Sequence, residues 1–303
     1  MSLSHSIVPE IRQLETLRNS SLVLYVGKVD FDSVPILYEY LRTIDHVPRL
    51  DLLLCTEGGT INAARRLALL LHEHTQNLSI LIPYTARSAG TLMSLAAHEL
   101  VLAPLAEFSP IDPHNQSVQK ASLATTPSII SAKDIRAFRD VAENWFGLKE
   151  NDYRFQIFEL LNQRIFPTSL SAFYHHDLQV RQIGQELLRY QLADTDESTL
   201  QRIVDYLVNG YYEHNYSITR QEAKQLGLRV KYASAEEETL MWRILKISQQ
   251  YLEIDTSKDL QVNGLILGSQ FTAVHEISWN SLPRASSTDE MATMIENTRW
   301  KIL

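Results

Sequence analysis

The stretch of this chain best suited to chemistry is Pro83-Tyr84-Thr85-Ala86-Arg87-Ser88-Ala89-Gly90-Thr91-Leu92-Met93. It follows an apolar run, Leu78 to Pro83, and leads into a small-residue helical pattern from Ala89 to Ala97. The pattern predicts a strand, a tight turn carrying one serine, and a helix that begins at that serine. Unpaired N–H groups and the helix dipole favour negative charge there, which suits a nucleophile whose reaction creates an oxyanion. A serine so placed also serves as an ordinary helix cap, so position alone does not decide its role. A second turn of similar design lies upstream. Leu50 to Cys55 reads as a buried strand, followed by Thr56-Glu57-Gly58-Gly59-Thr60 and a helix from Ile61 to about Thr75. Two adjacent glycines let the backbone approach a bound group closely and turn its N–H outward.

Cys55-Thr56-Glu57-Gly58-Gly59-Thr60, then Ala86-Arg87-Ser88-Ala89-Gly90-Thr91, then Ser109-Pro110-Ile111-Asp112-Pro113 resemble the landmark motifs of the serine dehydrogenase proteinase (SDH) family. That family belongs to the Clp-protease/crotonase superfamily and is related to signal peptide peptidase A. The similarity continues through His214-Asn215-Tyr216-Ser217-Ile218-Thr219-Arg220-Gln221-Glu222-Ala223 and Leu226-Gly227-Leu228. The resemblance implies a ClpP/crotonase-like fold of repeated β-α units with a mostly parallel sheet. It implies a soluble, ATP-independent serine protease or peptidase in which Ser88 attacks a peptide carbonyl. It also implies an oxyanion hole from the backbone of Gly58, Gly59 and Ala89, and a homo-oligomer acting on protein or peptide substrates.

Ser88 needs a base, because a free hydroxyl is a poor nucleophile near neutral pH. His114, at the edge of the Pro-rich loop, is the leading candidate: a neutral imidazole can accept the serine proton. The SDH family usually has Pro-Gln where this chain has Pro113-His114. Signal peptide peptidase relatives use a lysine instead, which brings in Lys120 and Lys133 as alternatives. In His175-His176-Asp177 at most one histidine, with His176 the candidate, could form a His–Asp pair, since neighbours on a helix point to different faces. Asp112 is the acid of the third motif, and equally a turn-former between two prolines. Arg87 could bind a substrate carboxylate or pair with an acidic neighbour. His72 and His74 are spaced poorly for joint metal binding. With no HExxH, CxxC, P-loop or GxGxxG signature, neither metal nor cofactor is expected.

Composition narrows the field further. Hydrophobic residues at 45% and charged ones at 21% are those of an ordered globular protein. A net charge of −8 with no basic block argues against nucleic-acid binding. The single cysteine, Cys55, fits a reducing compartment. The N-terminal stretch lacks a signal peptide's apolar core, and no run is long enough to span a membrane. The expected setting is therefore the cytoplasm, unlike that of many membrane-anchored relatives.

The elements that must position these residues alternate. A helix over residues 5–19 carries Ile7, Ile11, Leu14 and Leu17 on one side, and strand–helix pairs then follow to Val101, predicting a parallel sheet. Residues 103–126 read as loop. From Ser131 the chain is mainly helical to Gly210, and Thr219 to Glu222 forms a capping box. We expect a protease domain over residues 1–232 and a small C-terminal appendage over 233–303. In the appendage, Glu236 to Ser248 reads as helix, and Tyr251 to Ile254 and Val262 to Trp279 as antiparallel strands. The apolar segments Val262 to Gly268 and Phe271 to Val274 lie outside the expected core, a reason to expect self-association. Two other functions remain open: a catalytically inactive oligomeric scaffold, and a crotonase-like acyl-thioester enzyme, although the latter needs no serine at the helix start.

Overall fold

The computed structural model describes residues 3–44, 46–111, 135, 137, 140–147, 155, 156, 159, 163, 167–254, 260–281 and 294–303. A helix, α1 (Leu3–Arg18), leads into β1 (Ser21–Val26), α2 (Ser33–Ile44), β2 (Leu50–Cys55), α3 (Ile61–His74) and β3 (Leu78–Ile82). Next come a short β4 (Thr85–Ala86), α4 (Ala89–Ser94), β5 (Glu99–Leu102) and β6 (Glu107–Phe108). Beyond a π-helical turn at Val141–Trp145 lie α5 (Pro167–Gln191), α6 (Glu197–Asn209), β7 (Ile218–Thr219), α7 (Arg220–Leu226) and β8 (Val230–Tyr232). The chain closes with α8 (Ala235–Ile254), β9 (Leu260–Leu267), β10 (Thr272–Ser281) and β11 (Met294–Ile302).

Strands β1, β2, β3, β5 and β8 run parallel in that order. The residues of β1, β2, β3 and β5 are nearly all buried, as expected of strands covered on both faces, whereas those of the edge strand β8 are half-buried or exposed. Alternate side chains sort to opposite sides. Val23, Tyr25, Leu52, Leu54, Ile80 and Ile82 pack with α2 to α7, while Leu22, Leu24, Val26, Leu53, Leu81 and Val101 pack with α1 and α8. The alternating β-α units of the sequence thus form a mixed α/β fold around a large, mostly parallel sheet.

Several expectations need correction. Leu17 is 40% exposed, although Ile7, Ile11 and Leu14 of the same helix are fully buried. Residues Tyr251–Ile254 form the last turn of α8 rather than a strand, because the helix continues through them. The C-terminal strands are antiparallel, and they continue the main sheet: β9 pairs with β1, β10 with β9, and β11 with β10. Val262, Leu265, Ile266, Leu267, Phe271, Ala273 and Val274 are therefore all buried within the chain. The argument for self-association from exposed apolar strands falls with that observation.

One buried ion cluster ties the first helix to both the sheet and the C-terminal helix. Arg18 of α1 is hydrogen-bonded to Asp51 of β2 and to Glu237 of α8, and Ser20 donates to Asp51 at 2.7 Å. Burial opposes the charge on Glu237, but the Ser234 N–H and Arg18 hold its carboxyl below the usual range. Substituting Arg18→Met removes the buried partner of both carboxylates, leaving Asp51 with Arg49 at 3.6 Å and Glu237 with Lys231 at 3.5 Å, at a cost of about 3 kcal/mol. Urea unfolding of the variant, with the midpoint near wild type, would refute this role.

Candidate active site

Two turns at the carboxyl ends of β2 and β3 build the site, the usual place for ligands on a parallel sheet. They are joined by backbone: Thr56 N–H donates to Thr85 O, and Arg87 N–H donates to Thr56 O, both at 3.0 Å. Residues 56–60 are also tied to β1's exit, where Val29 N–H donates to Gly58 O and Thr60 N–H to Val29 O. Gly58 has φ +108° and Gly59 φ +151°, values that L side chains rarely adopt. A Cβ on Gly58 would stand 2.9 Å from both Arg87 O and Ser88 Cβ, so only glycine lets this turn lie against the serine. Gly90 plays the matching part on α4, where a Cβ would come within 2.4 Å of Thr56 Cγ2.

Ser88 itself has φ 48° and ψ −108°, a strained backbone for a non-glycine residue. Its side chain makes no capping hydrogen bond to α4, so capping does not explain the serine. Ser88 N–H is taken by Ser109 Oγ at 2.9 Å, and Ser109 N–H donates to Thr91 Oγ1 at 3.2 Å. The third sequence motif therefore braces the turn from behind. Gly58 N–H donates to Thr56 Oγ1 at 3.0 Å. Among the described residues no hydrogen bond engages the N–H of Gly59 or of Ala89.

Ser88 borders a cleft of about 480 Å³ together with Lys28, Glu57, Gly59, Asn62, His176, Gln179 and His214. Helix α5 forms one wall. It is docked on α3 by Arg65, which donates to Glu186 at 2.7 and 2.6 Å, and by Gln179, which donates to Asn62 at 3.2 Å. That docking turns His176 toward the cleft, half-buried, while His175 stays exposed. Burial lowers the His176 pKa, with the Asp177 charge pulling the other way. Asp177 itself accepts from Arg181 at 3.0 Å.

The structure thus places Ser88, Gly59 and His176 around one space, with Gly58 and Ala89 flanking the serine. Asp112, His114, Lys120 and Lys133 lie outside the described residues, which end at Ile111 beside the site. Arg87 is an acid-paired residue: it is hydrogen-bonded to Glu107 and lies 3.4 Å from Glu57. Burial opposes the Glu107 charge, yet hydrogen bonds from Ser217 and Arg87 lower its pKa. His214 and Lys28 were assigned no chemistry from the sequence. His214 stands within the quoted segment 214–223, the one signal that could have drawn attention to it. Among the described residues no cluster could hold a metal ion, and no helix is long and apolar enough to cross a membrane.

Behind the serine helix, His72 of α3 donates from Nε2 to Ala96 O at 2.8 Å and stacks on Tyr190. Burial, partly offset by that bond, lowers its pKa to about 4. The folded protein therefore binds fewer protons here than the unfolded chain below pH 6.5. His72 contributes stability that is present above that pH and lost as pH falls toward 4, on the order of 1–3 kcal/mol. A His72→Gln protein should show a flatter stability profile between pH 6.5 and 4 in urea titrations; an unchanged profile would disprove the assignment.

Comparison with known proteins completes the picture. Residues 11–144 match the family described as ClpP-like SDH-type serine proteinase. Two uncharacterized proteins of Methanocaldococcus jannaschii are similar to the chain. One is 25% identical over 250 residues, covering 78% of this chain and 77% of the relative. The other is 25% identical over 224 residues, covering 74% and 66%. Among solved structures, a mutant of the 1510-N membrane-bound stomatin-specific protease is similar over 75% of this chain and 82% of its own, at 16% identity and a TM-score of 0.41. A second mutant of that protease, in complex with a substrate peptide, is similar over 71% and 75%, at 15% identity and a TM-score of 0.40. Through residues 11–144, then, the chain is similar to the ClpP-like SDH-type serine proteinase family.

Proposed function

We propose that this protein is a serine peptidase that is ATP-independent by itself, with Ser88 as nucleophile and the N–H groups of Gly59 and Ala89 as oxyanion donors. The observation that carries the reading is a serine in a strained turn, uncapped, pressed against a two-glycine turn and open to a cleft. Ser88 Oγ attacks the peptide carbonyl and passes its proton to a base, and the oxyanion that forms accepts from the two N–H groups. Gly58 acts by shape, since its own N–H is given to Thr56 Oγ1. His176 is the base within the cleft. Its lowered pKa keeps the imidazole neutral, hence proton-accepting, at neutral pH.

A fluorophosphonate probe should label the wild-type protein on Ser88, as read by peptide mapping; absence of labelling refutes the nucleophile. The base has its own signature. Because it must be unprotonated, kcat/KM should fall as pH drops through a value below 6.5. That acid limb should vanish in His176→Gln, with activity down on the order of 10²–10⁴-fold. If His114→Gln removes the limb and His176→Gln does not, the base is His114.

A further inference from the structure

The Gly58–Gly59 turn has a second cavity on its other side. It measures about 470 Å³ and is lined by Val26, Gly27, Cys55, Thr56, Thr85 and Asn263, with Lys28 and Glu57 at the border shared with the Ser88 cleft. Gly58 lines it and lies against the serine, since a Cβ there would be 2.9 Å from Ser88 Cβ. We infer that this cavity is a substrate side-chain subsite for an aliphatic stem ending in a hydrogen-bond acceptor, glutamate above all and glutamine next.

The walls explain the stem. Val26, Cys55 and Thr85 are almost wholly buried and offer carbon and sulfur, and burial pushes the Cys55 thiol up, so it stays protonated and uncharged. A polar residue of the lining explains the acceptor. Asn263 comes from β9, well outside the residues that match the family. Its Oδ1 accepts from His275 Nδ1 at 2.5 Å, which fixes the amide and leaves the two Nδ2 hydrogens with no partner among the described residues. His275 is in turn buried against Trp300 of β11. Lys28 adds an ammonium at the border, whereas Glu57 is already engaged by Thr85 Oγ1–H and Arg87. A carboxylate reaching this space meets both the amide and the ammonium, and a hydrogen bond to a charged group exceeds one to a neutral amide. Leucine would leave the amide without a partner, and lysine would meet a like charge.

This subsite rests on Ser88 being the nucleophile of a peptidase, but its test needs no turnover. Fluorescein-labelled alanine pentapeptides with glutamate, glutamine, leucine or lysine at the centre are titrated into Ser88→Ala protein and followed by anisotropy. The glutamate peptide should bind about tenfold more tightly than the leucine peptide, with glutamine between them. Asn263→Leu should abolish the preference of glutamine over leucine and shrink that of glutamate to the part Lys28 supplies. Lys28→Met, an exposed change that spares the fold, should remove only the advantage of glutamate over glutamine. The subsite is overturned if leucine binds as tightly as glutamate, if both variants keep the wild-type order, or if none of the peptides binds. Fluorophosphonate labelling of wild-type Ser88 decides the nucleophile independently, so the two readings fail separately.

Discussion

A Ser88→Ala protein is expected to lose hydrolysis to background, a fall on the order of 10⁶-fold by the behaviour of serine nucleophiles elsewhere. Its thermal midpoint should stay at that of wild type. The reason lies in the backbone: Ser88 caps nothing, so the ordinary cost of about 1 kcal/mol for deleting a cap does not apply. Its N–H, which holds Ser109 Oγ, survives the substitution. Fluorophosphonate labelling and peptide cleavage read the loss, and differential scanning calorimetry reads the fold. A purified variant that still cleaves peptides at the wild-type rate would end the nucleophile assignment.

Gly59→Ala should also damage turnover, though less, and for a different reason. A Cβ at Gly59 would fall 2.0 Å from Val29 O, backbone that cannot swing aside. The turn must therefore move, carrying the Gly59 N–H off its aim. Loss of one oxyanion donor costs on the order of 10²–10³-fold in kcat. Gly147→Ala is the control, because Gly147 also has positive φ but no atom within 4 Å of the added Cβ. It should lower stability by only about 1 kcal/mol and leave turnover alone. Wild-type kcat in Gly59→Ala would remove this turn from the oxyanion site.

The sheet and both turns were legible because their signals are local. Buried parallel strands such as Leu50–Cys55 and Leu78–Ile82 read as continuous apolar runs, and glycines mark where backbones meet. The capping box at Thr219 and the positive-φ stop at Gly227 were equally plain. The candidate base was not legible. Which of His175 and His176 faces the serine depends on how α5 lies on α3, and that is set by Arg65 with Glu186 and Gln179 with Asn62. No local pattern encodes such long-range pairs. The fate of the C-terminal strands was hidden for a similar reason. A largely apolar run such as Val262–Leu267 looks the same whether its edge meets β1 or solvent.

That meeting of β9 with β1 also sets an order of events during synthesis. Strand β1 gains its parallel neighbour β2 soon after it leaves the ribosome, but Leu24 must wait for Leu267 and Val26 for Leu265, which are made much later. Until then the nascent chain carries an open, apolar strand edge in the middle of its future sheet. Pairings of such long sequence separation fold slowly and expose the chain to aggregation meanwhile. The growing polypeptide is thus most in need of a chaperone when β1 and β2 are complete and β9 is still unmade.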